Sequence, residues 1–544
     1  MTAERKKVAF ISPHAGIWQH ALPESYLAKC LDEQSFEVSR IACDGVFNRH
    51  CTVMEAVSVG IEQHPARKEA VCKQCRRNAS ILRSAYAGED HLISSYLDTE
   101  DATHVDEIVG RLAETDIREL TCLGVEVGRI AAYEVLIKFK KTSADFSAEE
   151  RVYLETYVRN ALLSLLAFSH IYQQLQPDIL VAYSPQYAVL GVCARYCELQ
   201  GKQVYFVEGS SNIDERYEAL RVWDWTEFGL TNPAIRYWED ADRYTLPAED
   251  IGRVDRHFKR LLDASSFSVY SEPASGRFDL RAHFGMPRQA KVVVAAMSSY
   301  DEVYSAHFIG RFPDEKYYSS VFKDQLDWIS GTIDFFGEHP ELFLLIRIHP
   351  RTFPSRRNSV MAREQIELAR ILATLPDNVR ANYPAEKISI YDLYPQIDAL
   401  VTGWSATGVE AMVFDVPVVT YDRHLPSYPA SIHYTGDSRP EYFENLFKAV
   451  SRGKHGVTSD NGRRWMAYSM SLGVVRHPAT LSDMHFVRAN RLVNFIYRSV
   501  NKLFPRLLRK LEALRHMSAH ESARFNELLK SGKKSLYDLG RAPE

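Results

Sequence analysis

The stretches LLIRIHPR (residues 344–351) and DALVTGWSATGVEAM (398–412) decide how this chain is read. The first is a continuous apolar run, the pattern of a strand buried on both faces, and it ends in Arg347, His349 and Arg351. Pro350 stops the strand and helps set the turn that follows. The second is another buried strand, then a Ser/Thr/Gly turn, then a helix start with a carboxylate at Glu410. Open α/β sheets bind ligands at the carboxyl ends of parallel strands. Cations at a strand end suit phosphate oxygens. Ser405 and Thr407 add hydroxyls, Gly408 lets the backbone approach a ligand, and the helix start offers free N–H groups. Glu410, one turn into that helix, is placed to accept hydrogen bonds from ribose hydroxyls. Each residue alone reads as a strand-end hydrogen bond or a helix cap. At the ends of neighbouring strands they read together as a nucleotide-phosphate pocket.

Working outward, an α/β series opens at KVVVAAMSS (291–299) and runs through strands at 343–348, 379–382, 399–402 and 416–421. Helices at 321–336, 361–375, 390–394 and 407–414 alternate with them. Upstream, KVAFIS (7–12) is a short strand followed by a polar loop and a helix from about Tyr26, and 38–42 is a further strand. Residues 100–175 are helical in pattern. The run 177–210 reads as strand (179–183), helix (188–199), a stop at Gly201 and strand (204–208). That βαβ unit implies parallel strands joined by a right-handed crossover. Residues 210–275 are polar and aromatic with no clear strand, and SEPASGRFDLRAHFGMP (271–287) has linker composition. From about 437 the pattern is helical throughout. The expected fold class is α/β: two Rossmann-like domains, 1–275 and 276–436, facing a cleft, with a helical C-terminal extension over 437–544.

A chain of 544 residues is too long for one core, which agrees with two domains. Its 46% hydrophobic and 25% charged content is that of a globular protein, and a net charge of -4 argues against a general nucleic-acid binder, since such proteins usually carry a basic surplus. No window approaches the ~18 uninterrupted apolar residues of a membrane span. The apolar run at the N-terminus is too brief for a signal peptide. The cytoplasm is the expected compartment, where the eight cysteines are thiols or metal ligands rather than disulfides.

RIHPR, followed by YDLYPQIDALVTGWSATGVEAMVFDVPVVTYD (391–422), resembles the C-terminal nucleotide-binding domain of GT-B glycosyltransferases. The likeness is to bacterial capsule and lipopolysaccharide enzymes of the capsule polysaccharide biosynthesis type, which include CMP-Kdo-using transferases. CDP-glycerol glycerophosphotransferases look similar here too. It spans roughly residues 286–425; over 1–210 only the βαβ pattern matches. The resemblance implies that His349 contacts the donor phosphate, that Ser405 and Thr407 hydrogen-bond phosphate, and that Glu410 binds ribose. Asp415 stands where that family commonly has a glycine. The implied activity is transfer of a sugar from a nucleotide-activated donor, CMP-linked donors among them, to a surface polysaccharide or lipopolysaccharide acceptor, with no catalytic cofactor. Same-fold alternatives are a CDP-glycerol-type polyol-phosphate transferase and a UDP-sugar 2-epimerase. An alternative from another class is a non-catalytic scaffold of a polysaccharide assembly complex.

A transfer of this kind needs a base near the acceptor hydroxyl. His14 and Glu24 near the first strand, and Glu208 ending a later one, are the candidates by placement. Ser298 and Ser299 end the first strand of the second domain as further phosphate contacts, and Asp301 or Glu302 would reach phosphate only through water or metal. Cys43, Cys51, Cys72 and Cys75 run C-x7-C, a gap, then C-x2-C, with His50 and His64 as alternative ligands. Four thiolates suit tetrahedral structural zinc, and four unliganded thiols is the other reading. Residues 491–517 place apolar side chains on one helical face and Arg/Lys on the other, with Pro505 interrupting. Such a face fits an anionic inner-membrane surface near a lipid-linked glycan acceptor, or packs across the two domains.

Overall fold

The computed structural model describes residues 4–539 apart from 185, 225, 227–231, 240–245, 266–268, 313, 355–358, 455, 479–498 and 500–501. Its strands are β1 (Lys6–Ile11), β2 (Phe36–Ala42), β3 (Asp90–Leu92), β4 (Ile179–Tyr183), β5 (Gln203–Gly209) and β6 (Ala219–Asp224). The second half adds β7 (Lys291–Ala296), β8 (Leu342–Arg347), β9 (Val379–Asn382), β10 (Ala399–Thr402), β11 (Val418–Thr420), β12 (Tyr434–Thr435) and β13 (Val474–Arg476). They form two sheets, ordered β13-β6-β5-β4-β1-β2-β3 and β12-β11-β10-β7-β8-β9. The second sheet is parallel throughout. The first is parallel from β3 to β5, then turns back through antiparallel β6 and β13. Two Rossmann-like domains facing a cleft, as expected from the sequence, are what the chain builds.

Burial on both faces explains the unbroken apolar runs of β4, β7 and β8. Alternate residues of β7 and β8 divide between two cores. Val293, Ala295, Leu344 and Ile346 pack with Trp328, Phe336 and Tyr442, while Val292, Val294, Phe343 and Leu345 pack with Phe258, Met412 and Trp465. In the first domain Ala9 and Ile11 join the helix Ala148–Leu175, and Val8 and Phe10 join the helix Trp18–Lys29. That last helix begins well before Tyr26. Pro23 lies inside it, where the helix does without one backbone hydrogen bond.

The region after 437 is mostly helical but not throughout, and it returns over both domains instead of projecting from them. The helix Arg439–Arg452 buries Tyr442 and Leu446 in the second core. The helix Val457–Ser471 packs against helices Ala248–Leu262 and Thr407–Val413. β13 then extends the first sheet, and the helix Ala519–Ser531 inserts Phe525, Leu528 and Leu529 into the first core. Arg524 clamps this return by donating to the carbonyls of Val474 (2.9 Å) and Leu472 (2.7 Å). Helix Ala248–Leu262, grouped by sequence with the first domain, also packs in the second domain's core. Most of the amphipathic stretch before residue 502 lies outside the described residues. Its described part is the helix Pro505–Ala513, opened by Pro505 at its first turn, where the missing N–H costs nothing. Among the described residues no helix is long and apolar enough to cross a membrane.

Phe525 is fully buried in the first core, so Phe525→Ala should destabilise that domain by about 3–5 kcal/mol. Calorimetry should show one unfolding transition moving to lower temperature. An unchanged profile would mean that the C-terminal region does not belong to that core.

Candidate active site

In the second sheet β7 lies between β8 and β10, and Ala296 is in register with both Arg347 and Thr402. The loops after β8 and β10 therefore emerge side by side, at the point where the strand order reverses, which is where such sheets take ligands. A cavity of about 540 Å3 opens there, between the carboxyl ends of the two sheets. Arg347, His349, Ser405, Thr407 and Glu410 line it from the second domain; Glu208, Arg216 and Arg221 line it from the first.

His349 is not the cation that its flanking sequence suggested. Burial, reinforced by Arg351, Arg347 and Lys140, lowers its pKa to about 3, so the ring is neutral at physiological pH. Its Nδ1 accepts the Arg351 backbone N–H at 3.2 Å and lies 3.1 Å from the Ser299 hydroxyl. The proton is therefore on Nε2, which remains available to donate to a ligand oxygen. Ser405 is preset in the same sense. Its Oγ accepts both the N–H (3.2 Å) and the hydroxyl (2.8 Å) of Thr407, so its own proton is free to donate. Thr407 thus orients Ser405 with the hydroxyl expected to reach phosphate. Glu410 accepts a hydrogen bond from the Tyr391 hydroxyl at 3.0 Å, and burial raises its pKa to about 7.

Several expected contacts are used elsewhere. Arg351 does not line the cleft: it grips Asp301 at 2.7 Å and donates to the Ile137 carbonyl at 2.8 Å, tying the two domains together. Arg347 does face the cavity, and two of its five N–H groups are taken by Asn382 Oδ1 (2.6 Å) and the Ile388 carbonyl (2.8 Å), which fix the guanidinium in place. Ser298 is buried with its backbone held by Gln325, and Ser299 acts through His349. Gly408 is needed for packing rather than ligand approach, since a Cβ there would fall 2.0 Å from the Tyr428 hydroxyl.

Of the three candidate bases, only Glu208 lines the cleft, where it pairs with Arg221 at 2.7 Å. His14 and Glu24 are buried together at the end of β1, beside His20 and Tyr183 and apart from the main cavity. Glu24 accepts the Ser12 hydroxyl at 2.5 Å, and burial raises its pKa to about 8; burial lowers His14 to about 4. Sequence reading missed Arg216 and Arg221, which come from the stretch judged to hold no strand. The alternation in ALRVWD, with Arg221 among buried neighbours, was the available signal.

Cys43, Cys51, Cys72 and Cys75 converge on a second, much smaller cavity. His50 and His64 do not join them: His50 sits against Glu55, Tyr153 and Tyr157, and His64 caps the helix Pro65–Leu82. Among the described residues no group of three or more His, Cys, Asp or Glu is gathered tightly enough to hold a metal ion.

No family model and no curated protein matches the chain. Solved structures similar to it include two transferases from Thermosulfurimonas dismutans. The KpsC β-Kdo 2,4 transferase is 12% identical, with 55% of this chain and 81% of that one covered and a TM-score of 0.33. The KpsC β-Kdo 2,7 transferase is 15% identical, with 62% and 89% covered and a TM-score of 0.32. A UDP-GlcNAc 2-epimerase from Neisseria meningitidis, bound to UDP-GlcNAc, is 8% identical, with 86% and 97% covered and a TM-score of 0.26. The two-sheet layout described above is that of two Rossmann-like domains facing a cleft. Likeness at these scores carries no argument about the reaction, which rests on the cleft itself.

Glu24 supplies a pH signature. A carboxyl raised from 4.5 to about 8 in the folded state stabilises fully below 4.5, and that stability is lost as pH rises through about 8. The melting temperature of the wild type, minus that of Glu24→Gln, should therefore fall steadily across that range. A flat difference would contradict the burial of Glu24.

Proposed function

We propose that the protein is a glycosyltransferase that moves a sugar from a nucleotide-activated donor, CMP-linked donors among them, to a surface polysaccharide or lipopolysaccharide acceptor. The observation that carries this reading is the pair of preset donors, His349 Nε2–H and the Ser405 hydroxyl, lining one wall of a cleft whose other wall carries Glu208.

In a direct displacement, the acceptor oxygen bonds to the anomeric carbon as the bond to the nucleotide phosphate oxygen breaks. The electron pair leaves with the phosphate. His349 and Ser405 would donate to that oxygen as its charge grows, helped by the nearby charge of Arg347. Glu208, on the first-domain wall of the cleft opposite Glu410, would take the acceptor's proton once the acceptor loosens its pairing with Arg221. Glu410 would accept from a ribose hydroxyl beside Tyr391. The outer face of the helix Pro505–Ala513 exposes Leu507 and Leu511 next to Arg506 and Lys510, a surface suited to anionic lipid around a lipid-linked acceptor.

Thermal shifts with CMP, CDP, UDP and GDP test the donor side. At least one should raise the melting temperature progressively with concentration, because a ligand that binds only the folded state stabilises it. His349→Ala should remove most of the shift, a loss of roughly tenfold or more in affinity for a hydrogen bond to a charged group. Glu410→Gln should erode the preference for the ribonucleotide over its 2′-deoxy form. No shift with any of the four nucleotides would overturn the proposal.

A further inference from the structure

On one part of the first domain's surface, apolar exposure and charge are both out of balance. Of the fifteen large apolar or aromatic side chains exposed among the described residues, five fall within residues 503–514: Leu503, Phe504, Leu507, Leu511 and Leu514, each more than half exposed. Phe504, Leu507, Leu511 and Leu514 follow at steps of three and four, so they share one face of the helix Pro505–Ala513, opposite the buried Leu508, Glu512 and Ala513. A surface helix of a globular protein normally has one apolar stripe and turns it inward. This helix carries a second, which faces out.

Cations surround that outer stripe. Lys502, Arg506 and Lys510 are exposed on the same segment, whose only acid, Glu512, is buried. The helix Pro65–Leu82 packs alongside: Arg509 donates to Asn78 Oδ1 at 2.8 Å, and Lys73 and Arg77 stand exposed beside that junction. The single acid of this second helix, Glu69, pairs with Arg76. None of the five exposed cations is in an ion pair among the described residues. By contrast, Arg253, Arg256 and Arg260 on the helix Ala248–Leu262 all hold Asp214 or Glu215. In a chain of net charge -4, five unpaired cations around an apolar stripe are a local feature.

We propose that these two helices together form a docking surface for an anionic phospholipid bilayer. The apolar stripe enters the headgroup boundary and the cations rest on lipid phosphates. Docking of this kind rests on the reading above, in which the acceptor is lipid-linked, and adds to the outer face already described a second helix and a rigid path into the domain. A ring of unpaired cations with no exposed acid among them matches a surface of uniform negative charge better than the mixed rim of a protein partner.

Buried polar bonds tie this surface to the domain. The Trp18 indole N–H donates to the Glu512 carboxylate at 2.8 Å, and the Tyr26 hydroxyl donates to the Glu512 carbonyl at 2.8 Å. Lys29 holds the end of the helix through the carbonyls of Ala513 (2.5 Å) and Arg515 (2.8 Å). From the second helix, Asn78 donates to the Ala15 carbonyl at 2.8 Å, in the loop after β1. Contact between the bilayer and the two helices therefore fixes the carboxyl end of β1 relative to the membrane plane, as delivery of a lipid-linked acceptor requires.

Co-sedimentation of the full chain with vesicles tests this. Vesicles of equimolar phosphatidylcholine and phosphatidylglycerol should carry the protein down, phosphatidylcholine alone should not, and added salt should weaken the binding. Lys73→Gln with Arg77→Gln should cost about twentyfold in affinity, at about fivefold for each cation. Leu507→Ser with Leu511→Ser should cost at least about tenfold. Ile366→Ser, an exposed apolar side chain on the second domain, should change nothing. All these side chains are exposed, so the variants should keep the wild-type melting temperature. The proposal is overturned if the anionic vesicles bind no protein, if both vesicle types bind equally, or if both double variants bind like the wild type. A wild-type dimer in sedimentation velocity that Leu507→Ser with Leu511→Ser dissolves would also overturn it, since the stripe would then meet a second copy of the chain. Nucleotide-induced thermal shifts on the same samples separate the two readings. Shifts that persist without vesicle binding remove the docking and leave sugar transfer standing, whereas vesicle binding without shifts supports the docking and removes sugar transfer.

Discussion

The position of β7 between β8 and β10 is the constraint on which the cleft depends. His349 and Ser405 are far apart in the chain, and only the shared register of Ala296 with Arg347 and Thr402 brings their loops to one level. Strand spacing of about 4.8 Å then puts the ends of β8 and β10 roughly 10 Å apart, within reach of a single ligand. The hydrogen bonds that orient the site are local consequences of that arrangement. Arg351 N–H and Ser299 fix the His349 tautomer, and Thr407 turns Ser405 into a donor.

A cleft between two domains works only if the domains keep their relative position, and polar stitches at the junction do this. Arg351 bonds Asp301 and reaches across to the Ile137 carbonyl, Arg129 donates to the Phe308 carbonyl at 2.7 Å, and buried Lys140 donates to the carbonyls of Phe353 and Val360. Burial lowers Lys140 to about 8, and its carbonyl partners offset part of the cost of holding a charge there. The returning C-terminal region adds a covalent strap. It packs on the second domain through Trp465, then joins the first sheet through β13. Removing any one of these stitches would affect the shape of the cleft without touching a ligand.

The strands of both parallel cores were legible because full burial writes itself as an apolar run. Ile179–Tyr183, Val379–Asn382 and Ala399–Thr402 were read to the residue. The polar-interrupted β6 and the three-residue β13 were not, since their burial depends on neighbours far away in sequence. The residue types of the donor wall were legible too, but their roles were not. Arg351 looked like a phosphate ligand because its partner Asp301 lies fifty positions earlier, on another element. His349 looked like a cation because the arginines flanking it in sequence are, in space, part of what keeps it neutral. His14 and Glu24 looked open because a loop after a first strand usually is; here the helix Trp18–Lys29 and Tyr183 cover them.

Photo-cross-linking with an azido-pyrimidine nucleotide on the full chain, followed by peptide mapping, tests the central claim most directly. A donor seated at the ends of β8 and β10 labels the peptides spanning residues 342–351 and 399–413, and the unmodified nucleotide suppresses the label. Label confined to other peptides, or label that the competitor leaves unchanged, would mean that the cleft does not bind a nucleotide.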